Sequence, residues 1–252
     1  LDCEANSDWP APLVLRWEAL PLYAVRAPSR ARGPSGGFAG TPWLGMGEAG
    51  QPLDFSASIA ELTMDIARRT PELRHIDVRR VLITFTQARH RGRHGLQARV
   101  TPLRFPKGHL LRTRRGVSYQ VQRYFLGEHE FLYLLTFCLP RFLDQDFEDK
   151  LVTLFHELFH ISPEFDGDLR RHEGRYHLHS SSKKAYDREM ADYARAYLQT
   201  RPDPRLLAFL RLNFTQLRER HGQVLACMVP RPKLVPVPTP QAAAALRRPS
   251  DG

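Results

Sequence analysis

The sequence predicts an α+β fold: a mixed β-sheet packed on one functional helix, with further helices C-terminal to it. Three observations carry that expectation. Between about residues 78 and 139, apolar and β-branched residues gather in short runs, the pattern of strands. From Phe147 the apolar positions switch to spacings of three and four, the helical period. Inside that periodic stretch stands His156-Glu157-Leu158-Phe159-His160, an H-E-x-x-H motif. A chain of 252 residues is long enough for one substantial domain with its own core, and 42% hydrophobic residues suits a globular protein.

Taken in order, residues 1–52 are rich in Pro and Gly, notably Arg32-Gly33-Pro34-Ser35-Gly36-Gly37. They predict an irregular arm, with Trp9, Trp17 and Trp43 available to pack on the main domain. From Asp54 or Ser56 a capped helix runs to Arg69, with Ile59, Leu62, Thr63 and Ile66 on its apolar face and Pro71 beyond its end. Strands are expected at Val78–Thr86, Leu96–Phe105, Val117–Leu126 and Phe131–Leu139; the last does not alternate and reads as buried on both faces. The motif helix follows, with Asp144, Asp146, Glu148 and Asp149 at its N-terminal end, where acids are favoured. Ser180, Ser181 and Ser182 are N-cap residues for a helix from Lys183 to Leu198. Another helix is expected from Asp203, with Pro204 in its first turn, to His221, closed by Gly222. Val224–Val229 reads as a short strand, and residues 230–252, rich in Pro and then Ala, as an extended tail. The main domain is thus placed at residues 53–229.

The motif carries the chemistry. Residues four apart on a helix lie one above the other, so His156 and His160 can bind one metal ion together. Glu157 lies to the side, within reach of a water that the metal activates. This is the arrangement of zinc peptidases, with Glu157 as general base, zinc as cofactor and a peptide or protein as substrate. Phe147, Leu151, Leu154, Leu158 and Ile161 form the core-facing stripe. At about 100° per residue, with Leu151 at zero, the stripe centres near ~320° and the two His fall near ~140° and ~180°. They point away from that core, and Val152 and Phe159 make the flank apolar too.

Zinc needs a third protein ligand and an open fourth position. The segment after the motif offers Asp166, His172, Glu173, His177 and His179, and the next helix Glu189 and Asp192. Asp166 has the third-ligand spacing of H-E-x-x-H-x-x-G-x-x-H/D, but Pro163 occupies the Gly position and cannot take a positive φ. His179 is preferred because it stands at a loop-to-helix junction, braced on one side by the helix. Tyr176 and His177, with Arg175, are candidate oxyanion or substrate donors beside it. Asp166, Asp168, Arg170 and Arg171 read as a salt-bridged loop shaping the site wall.

The run HELFHISPEFDGDLRRHEGRYHLHSSSKKAYD resembles the uncharacterised zinc metallopeptidases of bacteria and phages, a family of the zincin type. The resemblance rests on the H-E-x-x-H helix, the Ser162–Arg171 loop, and a late His179 followed by Ser and a helix. The last feature is also similar to the SprT/Spartan-like zincins. It covers about Ile76 to Asp187. It implies a zincin-like fold in which one edge strand borders the cleft, a zinc-dependent peptidase activity, His156, His160 and His179 as ligands and Glu157 as base. It implies no substrate, and the chain has no cysteine zinc ribbon.

Composition bounds the rest. Cys3, Cys138 and Cys227 are far apart and odd in number, which fits a reducing cytoplasm and no disulfide framework. The most apolar stretch, Phe131–Leu139, is too short to span a bilayer, so no membrane partner is expected. The net charge is +10, and only five of the 37 basic residues are Lys. Arg clusters at Arg89–Arg93 and at Arg112, Arg114 and Arg115 favour anionic partners. The alternative to an enzyme is therefore a non-catalytic, zinc-containing binding module that contacts nucleic acid through these Arg-rich loops.

Overall fold

The computed structural model describes residues 14–17, 22–24, 50–88, 95–171 and 183–237, and over these the chain is α+β. In order it forms β1 (Val14–Trp17), β2 (Leu22–Ala24), β3 (Leu53–Asp54), α1 (Phe55–Arg69), β4 (Val81–Gln87), β5 (Ala98–Pro102), β6 (Leu111–Arg114), β7 (Val117–Val121), β8 (Arg123–Leu126), β9 (His129–Phe131) and β10 (Tyr133–Leu139). Then come α2 (Phe147–Phe159), α3 (Lys183–Gln199), α4 (Pro204–Leu207), α5 (Phe214–His221), β11 (Val224–Cys227) and β12 (Leu234–Val237). The strands make four three-stranded sheets: β1-β8-β9, β4-β10-β5, β2-β11-β3 and β12-β7-β6.

The β4-β10-β5 sheet is mixed, and it carries the motif helix. β10 lies in its centre, parallel to β4 and antiparallel to β5. Burial on both faces explains why its sequence does not alternate. Val81, Ile83, Phe85, Ala98, Val100, Leu135 and Phe137 face the main core with α1 and α2, whereas Leu82 and Leu134 join Tyr124, Phe131 and Cys227 in a smaller cluster on the far side. β5 is an edge strand of this sheet and packs on α2. α1 begins at Asp54, whose side chain accepts the Ala57 N–H at 2.9 Å, and buries Ile59, Leu62, Thr63 and Ile66 as its periodicity predicts. Buried Asp65 accepts bonds from Arg69 and from the Tyr197 hydroxyl, which ties α1 to α3.

Several boundaries depart from the sequence expectation, each for a local reason. Residues 78–80 form a 3-10 turn, not strand, because Asp77 caps it through the Arg79 N–H. The strand expected at Val117–Leu126 is two strands in different sheets. At Gln122 the chain leaves β12, bonding to Lys233 through backbone and side chain, and β8 goes on to pair with β1 and β9. The helix expected at Asp203–His221 breaks at Leu212, where Asn213 and Gln216 close a capping box that starts α5 afresh. β6 was not expected. The N-terminal arm supplies β1 and β2, and the tail supplies β12, so backbone pairing orders parts of both segments. Cys138 and Cys227 are buried, as an apolar environment predicts for Cys138, and burial pushes both thiols up, Cys227 to about 12. Among the described residues, no helix is long and apolar enough to cross a membrane.

α2 is locked in place by a charge inside the core. Lys150, only 2% exposed, donates to the Leu210 and Leu212 carbonyls at 2.9 and 2.8 Å, the open end of a 3-10 turn. Burial lowers its pKa to about 8. The folded value lies below the unfolded one, so between them the unfolded chain holds more protons and stability rises with pH. Relative to Lys150→Met, wild type should gain about 2 kcal/mol of unfolding free energy between about pH 8 and pH 10. Urea titrations of both proteins at the two pH values read this. A difference that stays flat contradicts a buried, depressed amine.

Candidate functional site

The site begins with the C-terminal turn of α2. His156 and Glu157 stand in that turn, and His160 is the C-cap, its N–H bonded to the Glu157 and Leu158 carbonyls. The motif therefore closes the helix; it does not sit in its middle. Leu151, Leu154, Leu158 and Ile161 are fully buried as the stripe predicts, with Phe147 at its partly buried margin. The opposite face is also covered, because α3 packs on it.

The two imidazoles lie together, with ring centroids 4.7 Å apart and planes near perpendicular. Tyr186 of α3, 8% exposed, presses on both: its ring centroid is 5.0 Å from that of His156 and 6.0 Å from that of His160. Burial raises the Tyr186 pKa, aided by the negative charges of Glu189, Glu157 and Asp187, so its hydroxyl keeps its proton. One residue on, Asp187 Oδ1 lies 3.6 Å from His156 Nδ1. Sequence reasoning missed Tyr186 and Asp187. The signal was present in the spacing of Tyr186, Met190, Tyr193 and Tyr197, the apolar stripe that turns α3 toward α2.

Glu157 is lodged against β5. It is 7% exposed, and its Oε2 accepts the Val100 N–H of β5 at 2.8 Å. Burial pushes its carboxyl up to about 7, against the Val100 N–H and the charge of Arg99, which both pull it down. β5 pairs with β10 through its other edge, so the Val100 N–H is an outward group of the strand, and the carboxylate satisfies it. A buried carboxyl whose pKa lies near neutrality can both take and give a proton at ordinary pH.

The loop after the motif folds back on the helix. Ile161 bridges Leu169, and Arg170 donates its N–H to the His160 carbonyl at 2.7 Å. Pro163 does not prevent the turn: the Phe165 N–H bonds to Ser162 O at 2.9 Å, and positive φ is taken instead by Phe165 (50°) and Gly167 (89°). A side chain on Gly167 would lie 2.5 Å from Arg104 Cγ, so the close approach also requires glycine. Asp166 serves this loop, with Oδ1 accepting the Asp168 N–H at 3.0 Å. Asp168 accepts two bonds from Arg171 and one from the Lys107 N–H; of the four residues expected in a salt-bridged loop, Asp168 and Arg171 form the ion pair. Arg170 lays its guanidinium over Phe159, 5.2 Å from the ring centroid, while its buried Nε has no hydrogen-bond partner.

The other expected residues divide as follows. His179, His177, Tyr176 and Arg175, with His172 and Glu173, lie outside the described residues. Glu189 and Asp192 are exposed on α3, and Asp192 pairs with Arg195. Among the described residues, no third His, Cys, Asp or Glu, Asp166 included, completes a metal-holding group with His156 and His160. Comparison with protein-family models, with curated proteins and with solved structures finds no match to this chain.

Proposed function

We propose that this chain is a zinc-dependent metallopeptidase on a zincin-like fold, hydrolysing peptide bonds with Glu157 as general base. The observation that carries the reading is the last turn of α2. It presents two adjoining imidazoles on one side, and beside them a carboxyl of raised pKa lodged against the backbone of an edge strand. His156 and His160 are nitrogen donors of the kind zinc takes, and His179 is the proposed third ligand. Bound zinc would act as a Lewis acid and lower the pKa of water to about 7.

The protein groups do the remaining work. Glu157 takes a proton from the attacking water and returns it to the leaving amine. The Val100 N–H holds Oε2, which fixes the plane of the carboxyl and leaves Oε1 for the proton. The outward edge of β5 is proposed to pair with an extended substrate through backbone groups other than the Val100 N–H, which Glu157 holds, and Pro102, which has no N–H. Tyr176 and His177 are proposed donors to the developing oxyanion. Tyr186 packs against both imidazoles, and Asp187, with Oδ1 3.6 Å from His156 Nδ1, would favour a proton on Nδ1 and so leave Nε2 as the donor to a bound metal. Asp187→Asn is accordingly expected to weaken zinc binding about 10- to 100-fold, read by competition with a chromogenic chelator. Equal affinity in the variant would remove Asp187 from the site.

The activity itself is tested on purified full-length protein reloaded with zinc and given casein. Cleavage that a chelator stops and zinc restores supports the peptidase. Intact casein beside one bound zinc per chain would favour the non-catalytic zinc-containing module instead.

A further inference from the structure

The β12-β7-β6 sheet carries a feature that the peptidase reading does not use. Arg112 pairs across the ladder with Tyr119, and Arg114 with Val117, so these four side chains share one face of the sheet. Leu234, opposite Val121 on β12, extends that face. Together with Arg115 and Phe105 they line a concavity of about 920 Å³. Three Arg line it, and no acidic residue is among the described residues that do. None of the three Arg makes an ion pair among the described residues. Val117 and Leu234 are exposed large hydrophobics on the floor.

The hairpin tip adds an independent observation. Arg115 and Gly116 both take positive φ, 50° and 76°, as the centre of a two-residue hairpin turn requires. Asn or Gly is the usual first residue of such a turn, and Arg is disfavoured there on steric grounds. Its presence puts a third guanidinium at the mouth of the concavity at a conformational cost that packing does not explain, because the residue is exposed.

We infer that this face binds single-stranded nucleic acid, with Arg112, Arg114 and Arg115 on successive phosphates and Tyr119 and Phe105 as stacking surfaces for unpaired bases. Guanidinium forks match phosphate oxygens, and a flat ring beside them matches an unstacked base. An acidic peptide would satisfy the Arg charges but leave both rings and the apolar floor without a counterpart. The inference stands apart from the zinc site and holds or fails whether or not the chain cleaves peptides.

The test is fluorescence anisotropy of a fluorescein-labelled oligothymidylate, roughly twenty nucleotides long to exceed one such site, titrated with the full-length protein at several salt concentrations. Wild type is expected to bind it more tightly than a duplex of equal length. The triple variant Arg112→Ala, Arg114→Ala, Arg115→Ala should lose at least about 10-fold in affinity, and its log–log salt slope should shrink by about 2, the share of three phosphate contacts. Tyr119→Leu should lose about 10-fold with the slope unchanged. Replacing the three Arg by Lys keeps the charge, so it should preserve the slope while losing affinity, which a folding defect would not do. Unchanged affinity and slope in the triple Ala variant would overturn the assignment. So would displacement of the oligonucleotide by polyglutamate at equal charge concentration, which would reassign the face to an acidic polypeptide.

Discussion

Glu157→Gln is expected to lower casein hydrolysis by about a hundredfold to ten-thousandfold, the range for loss of a general base, while zinc content stays that of wild type. The amide keeps the shape of the carboxyl, and its oxygen can still accept the Val100 N–H that Glu157 Oε2 now holds at 2.8 Å. What is lost is the ability to carry a proton. The fold should tolerate the change, because a group whose carboxyl is already pushed up to about 7 by burial is replaced by one that never ionises. Casein cleavage, zinc content and the thermal midpoint of the variant are measured side by side. Activity retained within a few-fold would remove Glu157 from the chemistry, whatever else the site does.

The second large effect concerns the metal. His156→Ala or His160→Ala is expected to weaken zinc binding by more than about a hundredfold, beyond the effect of losing an orienting partner such as Asp187. The two rings lie 4.7 Å apart and share the contact with Tyr186, so neither substitution leaves the other imidazole with its present support. Chelator competition on each variant reads the loss directly. If both variants held zinc as tightly as wild type, the metal would lie elsewhere in the chain. The core should survive either change, because its stripe, Leu151, Leu154, Leu158 and Ile161, faces the opposite side of α2.

How much of this was legible in the sequence follows from which interactions are local. α1 was legible because its periodicity and its Asp54 cap are written within a few residues, and α2 was legible from its periodicity, its N-cap Asp146 making no side-chain capping bond. β10 was legible as a buried strand from its unbroken apolar run. The break at Gln122 was not, since it depends on Lys233, 111 residues away. β1, β2 and β12 were missed for the same reason: their strands owe their order to distant partners rather than to their own composition. Asn213-x-x-Gln216 is a start signal that was legible and was overridden by a continuous apolar pattern.

The site divides in the same way. The His pair with Glu157 is a five-residue pattern at the end of one helix, readable without the fold. That Glu157 would rest on Val100, 57 residues earlier, needs the sheet register. That Asp187 would stand at His156 Nδ1 needs the packing of α3 on α2. The spacing of Asp166 did not reveal its local role, in which Oδ1 accepts the Asp168 N–H and shapes the turn.

The measurement that bears most directly on the central claim is zinc stoichiometry of the purified full-length chain, beside His179→Ala and Glu157→Gln. The account predicts one zinc per chain in wild type, loss of it in His179→Ala, and retention in Glu157→Gln. Zinc kept in His179→Ala would move the third ligand to another donor. No zinc in wild type, even after reloading, would contradict the account outright.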